Sequence, residues 1–372
     1  MLNSFLRYFH FFKQSSFGMN LPKGSLSNYL KMHYGFLNEK IGPNGKTYPT
    51  LSCIYITKRC NLNCSFCIFG RLGANPPNWE EHELTPKKFE RLLDLEMSKK
   101  LLMIVFSGGE PLLNKDIPEF AYMANKRKHL LGVITNGLLL ENCSPELFKS
   151  SSGKGSICDI QVSIYDSTKE KLSRILPKVS RLVSLNPTYL LLRSKLLASA
   201  KNDFRELIDM VKMLKEVGCK GLIFNLYTVP VDSNDLSEMI SQDDDFLYSR
   251  FIQTCKSKLK GVSVNGYKGS LSLPHKFAIY FQPPWSVAIN QHSRDCKRAW
   301  SLELDANGNT LPCCRFQQRY HKPPCDNVFK DGEEIVNSPK AMEIRKKLLD
   351  KNGPLAKECI NCSDINSYGS KL

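Results

Sequence analysis

Apolar and polar positions along the middle of the chain follow a pattern of short strands separated by helices. Apolar runs typical of buried strands occupy residues 51–57, 101–106, 130–135, 157–164, 189–196 and 221–226. Between the last two runs, Leu207, Val211 and Leu214 recur at helical spacing. Strands that alternate with helices favour a parallel sheet with right-handed crossovers. The pattern predicts an α/β fold, a partial (β/α)6 TIM-like barrel, whose active site would lie at the C-terminal ends of the strands.

The predicted helices occupy the stretches between these strands. Thr85 followed by Pro86 is typical of a helix N-cap with proline at the first helical position. The remaining apolar spacings predict helices at 85–99, 117–126, 145–149, 167–183, 204–217 and 246–259.

The pattern changes after Gly261, where helical alternation gives way to short strands, turns and prolines. Residues 302–304 and 310–311 flank Asn307-Gly308 and predict a β-hairpin, and a helix is predicted at 341–350. We therefore expect three parts: an N-terminal extension at 1–50, the partial barrel at 51–260, and a small α+β domain at 261–372.

Aromatic and aliphatic residues recur at helical spacing near the N-terminus, in Leu2, Phe5, Phe9 and Phe12. The stretch lacks the long apolar core of a membrane span and the cleavage site of a signal peptide. A helix packed on the domain is the first interpretation, and peripheral membrane contact is the alternative.

Lysine and arginine number 52 against 36 acidic residues, for a formal net charge of +16. This charge favours an anionic partner, such as a phosphorylated small molecule or an anionic surface. The interleaved aromatic and basic residues of a nucleic-acid-binding module are not evident, so no nucleic-acid partner is predicted.

Cys60, Cys64 and Cys67 follow the first predicted strand directly, in a C-x3-C-x2-C spacing. Three thiolates are one short of the four that close a [4Fe–4S] cluster, so one iron would stay open to a ligand that is not protein. A structural zinc knuckle is the alternative. Cysteines at such short spacings favour metal or cluster binding over disulfides, and with the need for reduced thiols they predict a cytoplasmic protein.

This spacing, with Phe66 just before the last cysteine, resembles the signature of the radical SAM enzymes. The resemblance implies a [4Fe–4S] cluster that binds S-adenosylmethionine (SAM), a 5′-deoxyadenosyl radical that abstracts a substrate hydrogen atom, and an electron donor such as flavodoxin or ferredoxin. Ser107 to Pro111 resemble the motif that binds the amino group of SAM, and Ser163 matches a fourth-strand contact. The implied cofactor-binding residues are Phe66, Gly108, Gly109, Glu110, Pro111, Ser163 and Asn202.

The spacing Cys296-x11-Gly308-x4-Cys313 resembles the opening of the SPASM or twitch domains of this family. With Cys359 and Cys362 it supplies four thiolates, enough for one auxiliary [4Fe–4S] cluster. Cys314 is an alternative to Cys313, and a four-cysteine zinc site is the alternative to the cluster.

These features predict a radical SAM oxidoreductase, a dehydrogenase or epimerase of a small, anionic metabolite. For an epimerase, Cys255, Cys314 and Cys325 are candidate hydrogen-atom donors. One alternative is a maturase that modifies a peptide substrate, and another is a basic iron–sulfur or zinc protein without catalysis. No catalytic residue on the substrate side is assigned.

Overall fold

A computed structural model describes residues 51–64, 67, 75–101, 103–148, 157, 159–164, 169–185, 191–198, 204–219, 221–226, 244–259, 262–266, 277–281, 302–311 and 326–349. The predicted N-terminal extension, with its amphipathic stretch, lies outside these residues. None of the helices in the described ranges is long and apolar enough to cross a membrane.

Six parallel strands, adjacent in chain order, form the centre of one sheet. They are β1 (Leu51–Tyr55), β2 (Met103–Ser107), β3 (Leu130–Thr135), β4 (Asp159–Ile164), β5 (Leu191–Ala198) and β6 (Gly221–Leu226). Each lies within two residues of the stretch that the apolar pattern predicts. The predicted fold class, a partial β/α barrel, is confirmed.

Five helices follow the strands of this sheet. They are α1 (Pro86–Asp94), α2 (Ile117–Lys126), α3 (Lys169–Leu185), α4 (Phe204–Glu216) and α5 (Asp245–Lys258). The prediction that the first helix continues to residue 99 is wrong, because Leu95 adopts an extended conformation and a separate 3-10 turn follows at Ser98–Lys100. This break lets Met97 and Leu101 enter the core. The helix predicted at 145–149 is a 3-10 turn, Pro145–Phe148.

Three aromatic rings pack the first helices onto the sheet. The Thr85 hydroxyl accepts a hydrogen bond from the Lys88 N–H (3.3 Å) and begins α1 as predicted. The centroid of Phe89 on α1 lies 5.5 Å from that of Phe106 on β2 and 5.1 Å from that of Phe120 on α2. Edge-on and tilted contacts of this kind stabilise a core beyond the area they bury. They fix the strand and helices that flank the cysteine loop.

Four further strands extend this sheet on both sides, namely β7 (Val262–Gly266), β8 (Phe277–Phe281), β9 (Leu302–Asp305) and β10 (Thr310–Leu311). The order is β10-β9-β1-β2-β3-β4-β5-β6-β8-β7. β8 pairs in parallel with β6, and β9 pairs in parallel with β1. The strands after residue 260 thus continue the sheet of the barrel, while the division into domains stays a prediction.

The predicted hairpin is present as β9 and β10, joined through Asn307-Gly308. Gly308 has φ +79°, and a Cβ at this position would lie 2.4 Å from the ring of Phe329. Glycine is therefore required both for the turn and for the close packing. Phe329 belongs to α6 (Val328–Asp331), which is followed by a 3-10 turn, Glu333–Asn337, and by α7 (Pro339–Leu349).

Side chains of α1 hold this hairpin against the first β/α unit. The Lys88 ammonium donates a hydrogen bond to Asn307 Oδ1 (2.9 Å). The Arg91 guanidinium lies 5.3 Å from the ring centroid of Phe329. The C-terminal hairpin consequently packs on the same unit that leads into the cysteine loop.

Candidate functional site

The motif residues in the described ranges lie at one edge of the sheet, where its parallel strands end. At this edge, Asn136 follows β3. Of the predicted site residues, Cys60 follows β1, Gly109 follows β2 and Ser163 is the second-last residue of β4. Parallel strands bring their C-terminal ends together, and ligands of α/β sheets bind there. The convergence predicted from the sequence is present for these residues.

The cysteine loop is partly buried and internally bonded. Cys60, Cys64 and Cys67 are all half-buried, and the Cys67 N–H donates to the Cys64 carbonyl (3.0 Å). Burial raises the pKa of the Cys60 thiol, opposed in part by a hydrogen bond from the Leu62 N–H. Cys67 packs against Tyr55 and Leu311, so the loop contacts both the first strand and the C-terminal hairpin.

Gly108 and Gly109 bring the second-strand loop against the cysteine loop. A Cβ on Gly108 would lie 2.5 Å from the Thr57 carbonyl oxygen, and one on Gly109 would lie 2.1 Å from the Arg59 carbonyl oxygen. The Gly109 N–H donates to Thr57 O (2.9 Å), and the Glu110 N–H donates to Arg59 O (2.7 Å). The two glycines therefore allow the loop after β2 and the cysteine loop to approach each other closely.

Glu110 joins the ends of two strands. Its side chain is 0% exposed and accepts hydrogen bonds from the Thr135 hydroxyl (2.7 Å), the Asn136 N–H (2.7 Å) and the Leu112 N–H (3.0 Å). Burial raises the pKa of this carboxyl, and the three donors oppose the shift. A carboxylate has about four acceptor positions, so its capacity is not exhausted. The predicted contact with the SAM ammonium group stays a prediction.

Asn136 completes the contact between the cysteine loop and the third strand end. Its amide Nδ2 donates to Asn61 Oδ1 (2.7 Å), next to the first cysteine. Gly137 follows with φ +82°, and its N–H donates to the Thr135 hydroxyl (3.0 Å). Pro111, at the start of a 3-10 turn capped by Glu110, is buried.

Ser163 carries a buried hydroxyl group near the C-terminal end of β4. Its hydroxyl is buried, and it has no hydrogen-bond partner among the residues that the structure describes. Native proteins rarely leave such a group unpaired without a reason. A polar ligand seated at the strand ends would supply the missing partner.

Other contacts in this region carry no sequence motif and were not predicted. The Asn75 side chain hydrogen bonds to the backbone of Cys60, Glu83 pairs with Arg59, and Tyr55 donates to Glu303. A pattern search cannot find them because each joins segments that are separated in sequence. Asn75 alone has a weak local signal, since asparagine favours turns.

Several predicted site residues lie outside the described residues. These are Phe66, Asn202, Cys296, Cys313, Cys359 and Cys362, together with Cys314 and Cys325. Cys255, a candidate hydrogen-atom donor, lies in the hydrophobic core on α5, where burial raises the pKa of its thiol to about 12.

The three loop cysteines fit a four-iron cluster. They supply thiolates from one short loop, which is the donor set that such clusters take. Within the described ranges, no three cysteine, histidine or acidic side chains converge on a point that one metal ion could occupy. A cluster needs no such point, because each thiolate binds a different iron. The unpaired Ser163 hydroxyl fits a polar cofactor beside it.

Comparison with known proteins supports this interpretation. The model of the radical SAM superfamily matches residues 54–242, half of the chain. The model of an iron–sulfur cluster-binding domain, SPASM, matches residues 296–363.

Among curated relatives, the PqqA peptide cyclase of Granulibacter bethesdensis is 34% identical over 122 residues, 32% of this chain and 30% of that protein. The GTP 3′,8-cyclase of Nautilia profundicola is 23% identical over 80% of this chain and 88% of its own length. The antilisterial bacteriocin subtilosin biosynthesis protein AlbA of Bacillus subtilis is 22% identical over 80% of this chain and 62% of its own length.

Solved structures share the fold. Streptococcus suis SuiB bound to its precursor peptide SuiA superposes with a TM-score of 0.58 at 16% identity, over 86% of this chain and 71% of that one. The loop cysteines, the strand-end motifs and the two family models agree, and they imply a [4Fe–4S] cluster, SAM and auxiliary iron–sulfur chemistry. The chain belongs to the radical SAM superfamily and carries a C-terminal SPASM domain.

Proposed function

We propose that this chain modifies a peptide by radical chemistry. The observation that carries the proposal is the superposition, over 86% of the chain, on SuiB bound to a precursor peptide. The names of two sequence relatives, a peptide cyclase and a bacteriocin biosynthesis protein, also support a peptide substrate. The peptide interpretation, an alternative in the sequence analysis, thus has more support than a dehydrogenase or epimerase of a small metabolite.

The chain's own residues would bind and orient the reactants. Cys60, Cys64 and Cys67 would hold the catalytic cluster, which with bound SAM supplies a 5′-deoxyadenosyl radical. Gly109 follows β2, and the buried Ser163 hydroxyl lies near the end of β4, two strands away at the same edge of the sheet; both would contact SAM. The protein would then position the substrate C–H bond and exclude water, which is where an enzyme adds to cofactor chemistry.

Supporting components follow from the same chemistry. The cluster needs a one-electron donor such as flavodoxin or ferredoxin, and its thiols need a reducing compartment, which favours the cytoplasm. Cys296, Cys313, Cys359 and Cys362 would bind one auxiliary [4Fe–4S] cluster, which has no open position once four thiolates are bound.

A second candidate is the cyclisation of an anionic nucleotide. It is favoured by the alignment with a GTP 3′,8-cyclase over 88% of that protein and by the net charge of +16. A triphosphate would require basic side chains near the strand ends, whereas a peptide would not.

One experiment separates the two. Anaerobically reconstituted protein is incubated with SAM and dithionite, and 5′-deoxyadenosine is measured alone, with GTP, and with the heat-stable peptide fraction of the source organism. If the peptide proposal is correct, the peptide fraction should increase the formation of 5′-deoxyadenosine. Mass spectrometry should then detect a peptide product that has lost two hydrogen atoms. Cys64→Ala should abolish all product. Stimulation by GTP alone would overturn the peptide proposal.

A further inference from the structure

The cysteine loop must present three thiolates to one cluster. The backbone of Cys60, the first of these cysteines, is hydrogen bonded to a residue outside the cysteine motif. Asn75 lies 15 residues after Cys60 in the chain. Its Oδ1 accepts a hydrogen bond from the Cys60 N–H (3.0 Å), and its Nδ2 donates one to the Cys60 carbonyl (2.9 Å). A carboxamide is well suited to this pairing because it carries one acceptor and two donors side by side. Two bonds to one residue fix its orientation as well as its position.

The backbone of Asn75 is unusual as well. Its φ is +58°, in the left-handed region, where non-glycine residues other than asparagine and aspartate are rare. Asn75 is exposed, so burial in a core does not account for this conformation. The position requires a residue that adopts positive φ and also presents an amide, and asparagine meets both conditions.

Residues in the segment that follows Asn75 contact Arg59, the residue before Cys60. Arg59 Nε lies 2.9 Å from Glu83 Oε1, and its guanidinium carbon lies 4.0 Å from the ring centroid of Trp79. A second guanidinium nitrogen donates to the Leu113 carbonyl (2.9 Å). The Glu83 carboxylate also accepts a hydrogen bond from the Thr57 hydroxyl. The Arg59 guanidinium thus contacts three different groups, and a lysine ammonium could not make all three contacts at once.

We propose that residues 75–83 form a clasp that holds Cys60 in the orientation required for cluster binding, with Asn75 as its positioning residue. Asn75 bonds to Cys60 itself, and Trp79 and Glu83 hold Arg59 beside it. The clasp orders the loop before iron is bound, so less conformational entropy is lost on cluster assembly. The proposal rests on Cys60 as a ligand and is independent of the substrate.

The test compares Asn75→Gly with Lys128→Gly in the reconstituted full-length protein. Both changes place glycine at a residue of positive φ, +58° for Asn75 and +67° for Lys128, and only the first removes bonds to Cys60. Iron release is followed anaerobically with a ferrous chelator. The electron paramagnetic resonance (EPR) spectrum of the reduced protein is recorded with and without SAM, because a change on adding SAM reports the catalytic cluster.

We expect Asn75→Gly to release the SAM-responsive cluster about tenfold faster, because two hydrogen bonds are lost. Lys128→Gly should match the wild type. Metal-free Asn75→Gly should lose less stability than this tenfold change corresponds to, because the two bonds are exposed. Iron release at the wild-type rate would overturn the proposal, and so would faster release accompanied by an equal loss of stability in the metal-free protein.

A second variant keeps the test decisive if Asn75→Gly does not fold. Glu83→Gln preserves the shape of the side chain and removes its charge opposite Arg59. Glu83→Gln should speed iron release about threefold. The control is Asp209→Asn, which changes an exposed ion pair with Lys212 (3.0 Å) outside the clasp. An equal effect of Asp209→Asn would contradict the clasp.

Discussion

Two buried serines carry unpaired hydroxyl groups, but they lie in different parts of the sheet. Ser163 is 2% exposed and Ser52 is 0% exposed, and neither has a hydrogen-bond partner among the described residues. Ser163 lies near the C-terminal end of β4, where the motifs converge, whereas Ser52 lies near the start of β1. Only Ser163 is therefore placed to meet a cofactor, and Ser52 is its natural control.

We predict that Ser163→Ala weakens SAM binding about tenfold, the effect of losing one hydrogen bond to a charged group. The same change should leave the stability of the SAM-free protein unchanged or raise it, because an unpaired hydroxyl is removed. Ser52→Ala should match the stability effect without any effect on SAM. Calorimetric titration of the cluster-loaded protein and urea denaturation measure the two quantities. Equal loss of SAM binding in both variants would contradict the assignment of Ser163.

At the scale of elements, a buried polar contact joins β9 to β1 in addition to their backbone pairing. The Tyr55 hydroxyl on β1 donates to Glu303 Oε2 on β9 (2.6 Å), and Glu303 is 0% exposed. Tyr55→Phe removes a donor from a buried carboxylate, so we expect it to lower the free energy of unfolding by about 1–3 kcal/mol.

A double-mutant cycle tests this contact. Tyr55→Phe, Glu303→Gln and the double variant are compared by urea denaturation, with the free energy of unfolding as the readout. Direct partners should show an interaction energy of about 0.5–3 kcal/mol. Additive effects would indicate that the two side chains do not act together.

Directly before β3 lies another buried polar group, the His129 imidazole. It is 3% exposed, and its Nδ1 lies 2.8 Å from the Leu101 carbonyl oxygen. Burial lowers the pKa of His129, and the neighbouring Arg127 lowers it further, against the hydrogen bond. In the unfolded chain histidine titrates near pH 6.5. As the pH falls below about 6.5, the unfolded state gains a proton that the folded state does not.

Stability should consequently fall with pH below about 6.5, by at most about 1.4 kcal/mol per unit from this group, until the folded-state pKa is reached. We predict that His129→Asn, which keeps a donor for Leu101, reduces this slope between pH 6.5 and 5.5. Urea denaturation of both proteins at several pH values provides the measurement. Identical slopes would assign the pH dependence to other groups.

The elements differ in how far the sequence predicts them. β1 to β6 are recognisable because each lies in a short stretch rich in apolar residues, and α1 begins where Thr85 and Pro86 predict. The partner of β9 is not recognisable, because Tyr55 and Glu303 are 248 positions apart and no local pattern encodes the contact. The contact of Asn75 with Cys60 is hidden for the same reason. Motifs predict which residues react, whereas the residues that position them depend on the tertiary fold.

At the scale of the whole molecule, the SPASM domain shares its sheet with the catalytic core. β9 and β10 fall within residues 296–363 of the SPASM match, and β9 pairs with β1, which leads into the cysteine loop. Cys67 packs against the apolar pair formed by Tyr55 on β1 and Leu311 on β10. The strand that leads into the cysteine loop and part of the SPASM match therefore belong to one hydrogen-bonded sheet, and we expect a change in one to affect the stability of the other.

Replacing Cys359 and Cys362 with serine tests both the auxiliary cluster and this coupling. We predict that iron falls from about eight to about four atoms per chain, the difference of one [4Fe–4S] cluster. The complementary variant, with alanine at Cys60, Cys64 and Cys67, should also retain about four iron atoms per chain. Of the two variants, only this one should lose the change in the EPR spectrum on adding SAM. Because β9 belongs to the common sheet, loss of the auxiliary cluster should lower the unfolding temperature of the whole molecule in one transition. Zinc in the wild-type protein, or a second, independent transition, would show that the C-terminal cysteines form a separate structural site.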